Sequence, residues 1–277
     1  MKIISDIISS RSNPTVKWAA SLLTKKGREE EKAFVIEGKK LVFEAAEIGL
    51  PITHVFVEES RRQEYEFRIK SAFSQENYDD CKVIFLSSGV FEKISSEKSP
   101  EGIISVVKYL DFFRELDIIY NEDFFASELE RVIFLSSVRD PGNLGAIIRS
   151  AVAFGFERIV LSADTADVYN PKTIRSAMGG LFKVKIDYVH SLSDAINAAK
   201  KNGRRVFAAE LSPSAKSVLD FELKNTDIFV IGNEGHGIAP EVSAVCDGSV
   251  YIPISKNTES LNAAVAASIL LWEQSKK

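Results

Sequence analysis

Apolar residues along this chain fall into short runs, and between the runs lie longer stretches whose apolar positions recur every three or four residues. The short runs read as strands. Through residue 108 they are 33–36, 54–57, 83–86 and 103–107. Helix signals separate them. Asn13-Pro14 offers a cap and a first-turn proline, followed by Val16, Ala19, Ala20, Leu22 and Leu23 and a stop near Gly27. Residues 41–48 are helical and close at Gly49 and Pro51. From residue 131 the alternation resumes, with strands at 132–135, 158–161, 184–189, 206–209, 228–231 and 250–252. Helices are expected at 144–154, 171–178, 192–202, 240–245 and 261–274. Apolar strands alternating with helices predict a parallel sheet covered on both faces. The division expected is two α/β domains, 1–108 and 131–277. The segment 109–130 between them mixes charges with Phe112, Phe113, Phe124 and Phe125. It reads as a linker or a short docked segment, because those rings need cover.

Composition narrows the class. The 277 residues are 45% hydrophobic and 27% charged, which suits a globular protein. No apolar run approaches the roughly 20 residues of a membrane helix, and Met1-Lys2-Ile3-Ile4-Ser5-Asp6 lacks a signal-peptide core. Cys81 and Cys246 lie far apart, form no metal-like pair and read as small buried hydrophobes. These features favour the cytoplasm and no membrane partner. The net charge is −4. Through residue 110 there are 17 basic and 17 acidic side chains, leaving 18 and 22 of the totals of 35 and 39 beyond it. Neither half is basic in bulk, so RNA would have to be met by local clusters.

The candidate chemistry sits where strands end. The strand at 132–135 is followed by Ser136-Ser137-Val138-Arg139-Asp140-Pro141-Gly142-Asn143, without the glycine fingerprint of dinucleotide folds, and a phosphate-binding P-loop is also missing. Three other segments share one character: Asn143-Leu144-Gly145-Ala146-Ile147-Ile148-Arg149, Ile231-Gly232-Asn233-Glu234-Gly235-His236-Gly237, and Ser260-Leu261-Asn262-Ala263-Ala264-Val265-Ala266. Each puts polar residues or glycine at the end of a strand or the start of a helix. In parallel α/β sheets that edge binds ligands. Gly232 lets backbone approach a ligand closely. Ser260 reads as a helix cap, His236 as an exposed loop histidine, and Glu234 as either a proton acceptor or a loop carboxylate bonding backbone N–H groups. Arg149 reads either as a surface arginine or as a planar fork for phosphate. The residues alone reach a ligand-binding α/β enzyme.

The order and spacing of the three segments closely resemble the motifs of the SpoU/TrmH-type RNA 2′-O-ribose methyltransferases of the SPOUT superfamily. The resemblance implies a C-terminal domain with a deep trefoil knot, in which S-adenosylmethionine lies bent against Leu211, Gly232, Ile252 and Leu261. It implies catalytic roles for Asn143, Arg149, Glu234 and Asn262. The pairing of two knotted domains into a homodimer is also implied. Ser10-Arg11-Ser12-Asn13-Pro14, Lys25-Lys26-Gly27-Arg28 and Phe34-Val35-Ile36-Glu37-Gly38 look like the family's substrate-binding domain, a small ribosomal-protein-like α/β module. Arg11, Lys17, Lys25, Lys26 and Arg28 could there track an RNA backbone, although Glu29-Glu30-Glu31 follows at once. Family members often carry Met and Gly after the Ile-Pro that corresponds to 252–253, where this chain runs Ile254-Ser255-Lys256-Asn257. The implied activity is methyl transfer to a ribose 2′-hydroxyl of a structured RNA, ribosomal rather than transfer RNA, with no DNA partner. The alternative is a non-catalytic RNA-binding or assembly factor on the same fold.

Overall fold

A computed structural model describes residues 1–73, 78–110, 113–116 and 130–276. The chain divides into two compact units, Met1–Leu110 with Tyr169–Gly179, and the remainder.

The first unit holds β1 (Lys2–Ile8), α1 (Pro14–Ser21), α2 (Lys25–Glu31), β2 (Ala33–Glu37), α3 (Lys39–Glu47), β3 (Ile52–Glu58), α4 (Arg62–Ala72), β4 (Lys82–Leu86), α5 (Ser88–Ile94) and β5 (Ile103–Lys108). The sheet order is β1-β4-β3-β5-β2. β5 runs antiparallel to both neighbours, whereas β1, β4 and β3 are parallel. Val16, Ala19 and Leu22 pack on one sheet face with Phe56, Ile84, Ile104 and Val106.

Two local features depart from the sequence reading. The helix beginning at Asn13 does not run to Gly27. The Thr24 hydroxyl donates to the Ser21 carbonyl at 2.8 Å and accepts the Gly27 N–H at 3.1 Å, so it closes α1 and caps α2. Gly27 is therefore not a stop but a contact point. A Cβ there would lie 2.2 Å from the Ser21 carbonyl oxygen, so only glycine lets the two helices meet. β1 is the second difference. It is an edge strand with mostly exposed positions and a bulge between Ile4 and Ile7, so it shows no clean alternation to read.

The second unit contains β6 (Phe113–Leu116), β7 (Val132–Leu135), α6 (Pro141–Ala153), β8 (Arg158–Ser162), β9 (Lys185–Val189), α8 (Leu192–Lys201), β10 (Val206–Ala209), β11 (Lys216–Ser217), β12 (Ile228–Ile231), α9 (Pro240–Ser243), β13 (Gly248–Tyr251) and α10 (Ala263–Ser275). The helix α7 (Pro171–Ala177) comes between β8 and β9 in sequence but groups with the first unit. The strand order is β11-β13-β10-β12-β7-β8-β9-β6. Every pairing is parallel. The stretch expected as a linker thus contributes β6, which pairs with β9; Phe112, Phe124 and Phe125 lie outside the described residues. Val132, Phe134, Val160, Val206, Ala208, Ile228 and Val230 face Leu192, Ala195, Ile196 and Ala199 of α8. Alternation sends their neighbours to the opposite face.

At the amino ends of these strands, Arg158 bonds Glu130 and Asp187 at 2.9 Å each. Arg204 donates to the carbonyls of Thr226 and Glu130. No described helix is long and apolar enough to cross a membrane.

One group in the first unit makes stability depend on pH. His54 sits in β3 between Trp18, at 4.7 Å between ring centroids, and Phe56. Burial first, and the charge of Lys82 second, hold its imidazole down at about 4. An unfolded histidine titrates near 6.5. Below that value the unfolded chain takes a proton that the native chain refuses, so stability falls as pH drops from about 6.5 towards 4. In thermal melts, the midpoint gap between wild type and His54→Gln should narrow between pH 7 and pH 5. A constant gap would show that His54 does not titrate in this way.

Candidate active site

Because all strands of the second sheet run the same way, their carboxyl ends share one edge. The strand order reverses between β7 and β12, since the chain leaves β7 towards β8 and β9 and later returns to the other side. A crevice outside such a reversal is where open α/β sheets hold ligands. The β7–α6 segment and the loop after β12 meet there.

Asp140 caps α6, accepting the Asn143 N–H at 2.9 Å, and Pro141 occupies the first turn. The helix thus starts three residues earlier than expected, and Asn143 lies in its first turn. The Asn143 amide donates to Glu234 Oε1 at 2.8 Å and accepts from the Asn262 amide at 2.9 Å. Asn262 also caps α10, its Oδ1 accepting the N–H groups of Ala264 and Val265. The cap expected at Ser260 is therefore supplied by Asn262. One chain of side-chain hydrogen bonds, Asn262 to Asn143 to Glu234, ties three distant segments together.

Glu234 is more than the end of that chain. Its carboxylate also faces the backbone N–H groups of Arg139 and Asp140, both at 3.4 Å. Burial alone would raise its pKa, but the Asn143 amide and the backbone donors outweigh that and hold it below the usual carboxylate range. Asn233 braces the loop from the other side. Its amide donates to the Ser137 carbonyl at 2.7 Å, and its Oδ1 receives the N–H groups of Gly235 and His236. Ser137 adopts a left-handed φ of 57° to present that carbonyl. The loop folds back through paired backbone bonds between Asn233 and Gly237. His236 is exposed, as expected.

Arg149 does not join this network. It is exposed, and among the described residues it has no hydrogen bond or ion pair. Six residues beyond Asn143 place it roughly 9 Å along the helix and about 120° around it.

The four positions expected to line a cofactor slot divide by location. Leu211, Gly232 and Ile252 follow β10, β12 and β13, three neighbouring strands. The register Ala209 with Val250 brings Leu211 and Ile252 to the same level. Leu261 precedes α10. Leu211 is 73% exposed, an apolar side chain left uncovered at a polar edge. That edge fits a flat apolar group such as a purine, with backbone groups at the strand ends to bond its nitrogens. Gly232 also has a local role. A Cβ there would lie 2.4 Å from the Gly237 carbonyl carbon, so glycine is required by the loop's own backbone.

The five basic residues expected to meet RNA separate clearly. Arg28 is buried, 2% exposed, and donates to the Leu22 carbonyl at 3.0 Å. Its position pins α2 beneath the end of α1, so it is structural and not a phosphate contact. Lys25 and Lys26 are exposed and pair with Glu29 and Glu30 one turn on. Arg11 binds the Gly89 carbonyl and approaches Glu92, and Lys17 is exposed on α1.

Sequence reading missed Asp140, Asn233, Arg139 and Asp164. The Asp-Pro pair was the legible sign of a capped helix start. The others act through contacts across the sheet edge that no local pattern carries. No group of His, Cys, Asp and Glu suited to a metal occurs among the described residues.

Residues 130–272 match the model of the SpoU rRNA Methylase family, and 13–105 match the MRM3-like substrate binding domain. The chain is 32% identical over 267 residues to the 23S rRNA (guanosine(2553)-2′-O)-methyltransferase RlmP of Bacillus subtilis, covering 96% of this chain and 97% of that protein. It is 28% identical to the 23S rRNA (uridine(2479)-2′-O)-methyltransferase of Streptomyces viridochromogenes, over 96% of this chain and 90% of the other. Among solved structures, the AdoMet-bound rRNA methyltransferase of Sinorhizobium meliloti superposes with a TM-score of 0.83 at 27% identity, covering 99% and 98% of the two chains.

The geometry at Gly232 sets an expectation. Gly232→Ala must push the 233–237 loop away from β12, and strain of this size weakens S-adenosylmethionine binding by about tenfold or more. Titration calorimetry reads the loss. Unchanged affinity would remove the loop from the cofactor slot.

Proposed function

This chain belongs to the SpoU rRNA methylase family, and we propose that the Asn143–Glu234–Asn262 network is the centre at which its chemistry is organised. The protein is an S-adenosylmethionine-dependent RNA 2′-O-methyltransferase, and ribosomal RNA is its substrate class. The carrying observation is that three segments far apart in sequence converge through side-chain hydrogen bonds at the point where the strand order reverses. That intact network argues against a non-catalytic assembly factor.

S-adenosylmethionine, when bound, supplies an electrophilic methyl group on a sulfonium. The protein's own residues do the rest. Leu211, Gly232, Ile252 and Leu261 hold the adenosyl part at the strand ends. Asn143 and Asn262 fix the acceptor ribose in line with the methyl, so proximity supplies much of the rate. The cofactor would supply the methyl carbon for bonding to the 2′-oxygen with its thioether as leaving group, and these residues would hold the hydroxyl beside it. Glu234 acts as the anchor of the two loops rather than as the base, because donors that hold a carboxylate ionised also make it a weak proton acceptor. Arg149, exposed and without a partner among the described residues, is available to an RNA phosphate.

The finer architecture belongs to the same reading. The 131–277 segment carries a trefoil knot and works as a homodimer in the cytoplasm. Val265 and Trp272, 48% and 49% exposed on one stripe of α10, support a second copy as cover. Residues 1–108 recognise the RNA, supported by the match at 13–105.

The test is transfer of labelled methyl from S-adenosylmethionine to large-subunit ribosomal RNA, followed by mapping of the product. Label on a base instead of a 2′-oxygen would overturn the reading. Glu234→Gln should lower the rate while leaving the shape of the pH–rate curve unchanged. Loss of the acidic limb in that variant would make Glu234 the base. Sedimentation showing only monomer at micromolar protein would contradict the dimer.

A further inference from the structure

We propose that Arg139 grips the backbone phosphate beside the ribose being methylated, and that Asp164 holds its guanidinium ready for that contact; the proposal rests on the methyltransferase reading above. Arg139 lies between β7 and α6, at the reversal of strand order, and its backbone N–H faces the Glu234 carboxylate. Its side chain therefore departs from the network itself. That side chain is 67% exposed and has one ion-pair contact, from Nη2 to Asp164 Oδ2 at 3.2 Å. An arginine carries five N–H donors in a planar fork. Among the described residues the others are unengaged. The single contact fixes direction and leaves the fork free for two phosphate oxygens.

Asp164 is itself held in place. Ser137 Oγ donates to Oδ2 at 2.6 Å and Ser162 Oγ donates to Oδ1 at 2.7 Å. The same Ser162 oxygen accepts the Ser137 N–H at 2.8 Å, and the Ser137 carbonyl takes the Asn233 amide. Ends of β7, β8 and β12 are thereby joined around one carboxylate. Partial burial would raise the Asp164 pKa, but the serine hydroxyls and Arg139 outweigh it and keep the group ionised. An ordinary exposed ion pair contributes little to stability. A pair built on two buttressing serines, beside a substrate network, is explained by orientation. Arg149, Lys25 and Lys26 are not placed this way. Arg149 lies on a different side of α6 from Asn143, and Lys25 and Lys26 are paired along their own helix.

The experiment uses the full chain with in vitro-transcribed large-subunit ribosomal RNA, and measures KM for RNA, its salt dependence, kcat and S-adenosylmethionine affinity. Arg139→Gln should raise the RNA KM about tenfold or more, as loss of a charge-assisted bond does. It should reduce the salt slope by about one, with cofactor affinity unchanged. Arg139→Lys should restore the salt slope but not the KM. Asp164→Asn should raise KM without altering the salt slope, and should add nothing in the Arg139→Gln background. A wild-type KM and salt slope in Arg139→Gln would overturn the proposal. Loss of cofactor affinity in that variant would also overturn it, by making Arg139 part of the loop framework. Wild-type protein that binds S-adenosylmethionine but methylates no ribosomal RNA would overturn the underlying reading, and the proposal with it.

Discussion

The site hangs on one carboxylate. Glu234 receives the Asn143 amide and faces two successive backbone N–H groups of the β7–α6 segment. Strand pairing between β12 and β7 brings the two loops near each other, but pairing alone fixes only the backbone up to the last ladder bond. Beyond it each loop has many conformations of similar energy. A charged acceptor that takes donors from the opposite loop selects one of them, because charge-assisted hydrogen bonds are about twice as strong as neutral ones. The left-handed Ser137, the braced Asn233 and the tight contact of Gly232 with Gly237 all become sensible as the means of delivering Glu234 to that position.

The two edges of the parallel sheet divide the charges between them. At the carboxyl edge the charged groups are exposed and their donors are only partly used. At the amino edge Arg158, Glu130 and Asp187 are nearly closed to solvent and satisfied by one another. A buried ion pair contributes little net stability, yet removing one partner costs about 3–5 kcal/mol because the other is left uncompensated. The amino edge is therefore rigid, and the carboxyl edge has polar groups to spare for a ligand.

Much of this was legible in the sequence, and the parts that were not share a cause. Strands β7, β8, β10 and β12 are apolar and largely buried, so with β9 and β13 their positions could be read to within two residues, whereas β6, in the stretch read as a linker, and the two-residue β11 could not. β1 could not, because an edge strand with mostly exposed side chains has no alternation. The clustering of Asn143, Glu234 and Asn262 followed from their place at strand ends and helix starts. The burial of Arg28 did not, since a lysine-arginine run at a helix start looks identical whether one member turns inward or all face water. Nor did the Ser137–Ser162–Asp164 brace, whose members are brought together only by the pairing of β7 with β8. Local pattern reports the face a residue occupies, and it is silent on which neighbour meets it across a sheet edge.

The placement of α7 has a consequence for inheritance. The chain leaves the second unit after Val168, supplies Tyr169–Gly179 to the first, and returns. Thr173, Ile174 and Ala177 are buried there. A genetic crossover at a single point after residue 110 would thus separate this helix from the sheet it evolved beside, leaving three inward-facing side chains to fit a stranger's surface. Each unit is compact in itself, yet their segments are interleaved along the gene. Mutations in β2 and in α7 must accordingly be accepted together, and the pair will drift as one unit while the segments on either side of α7 follow the other.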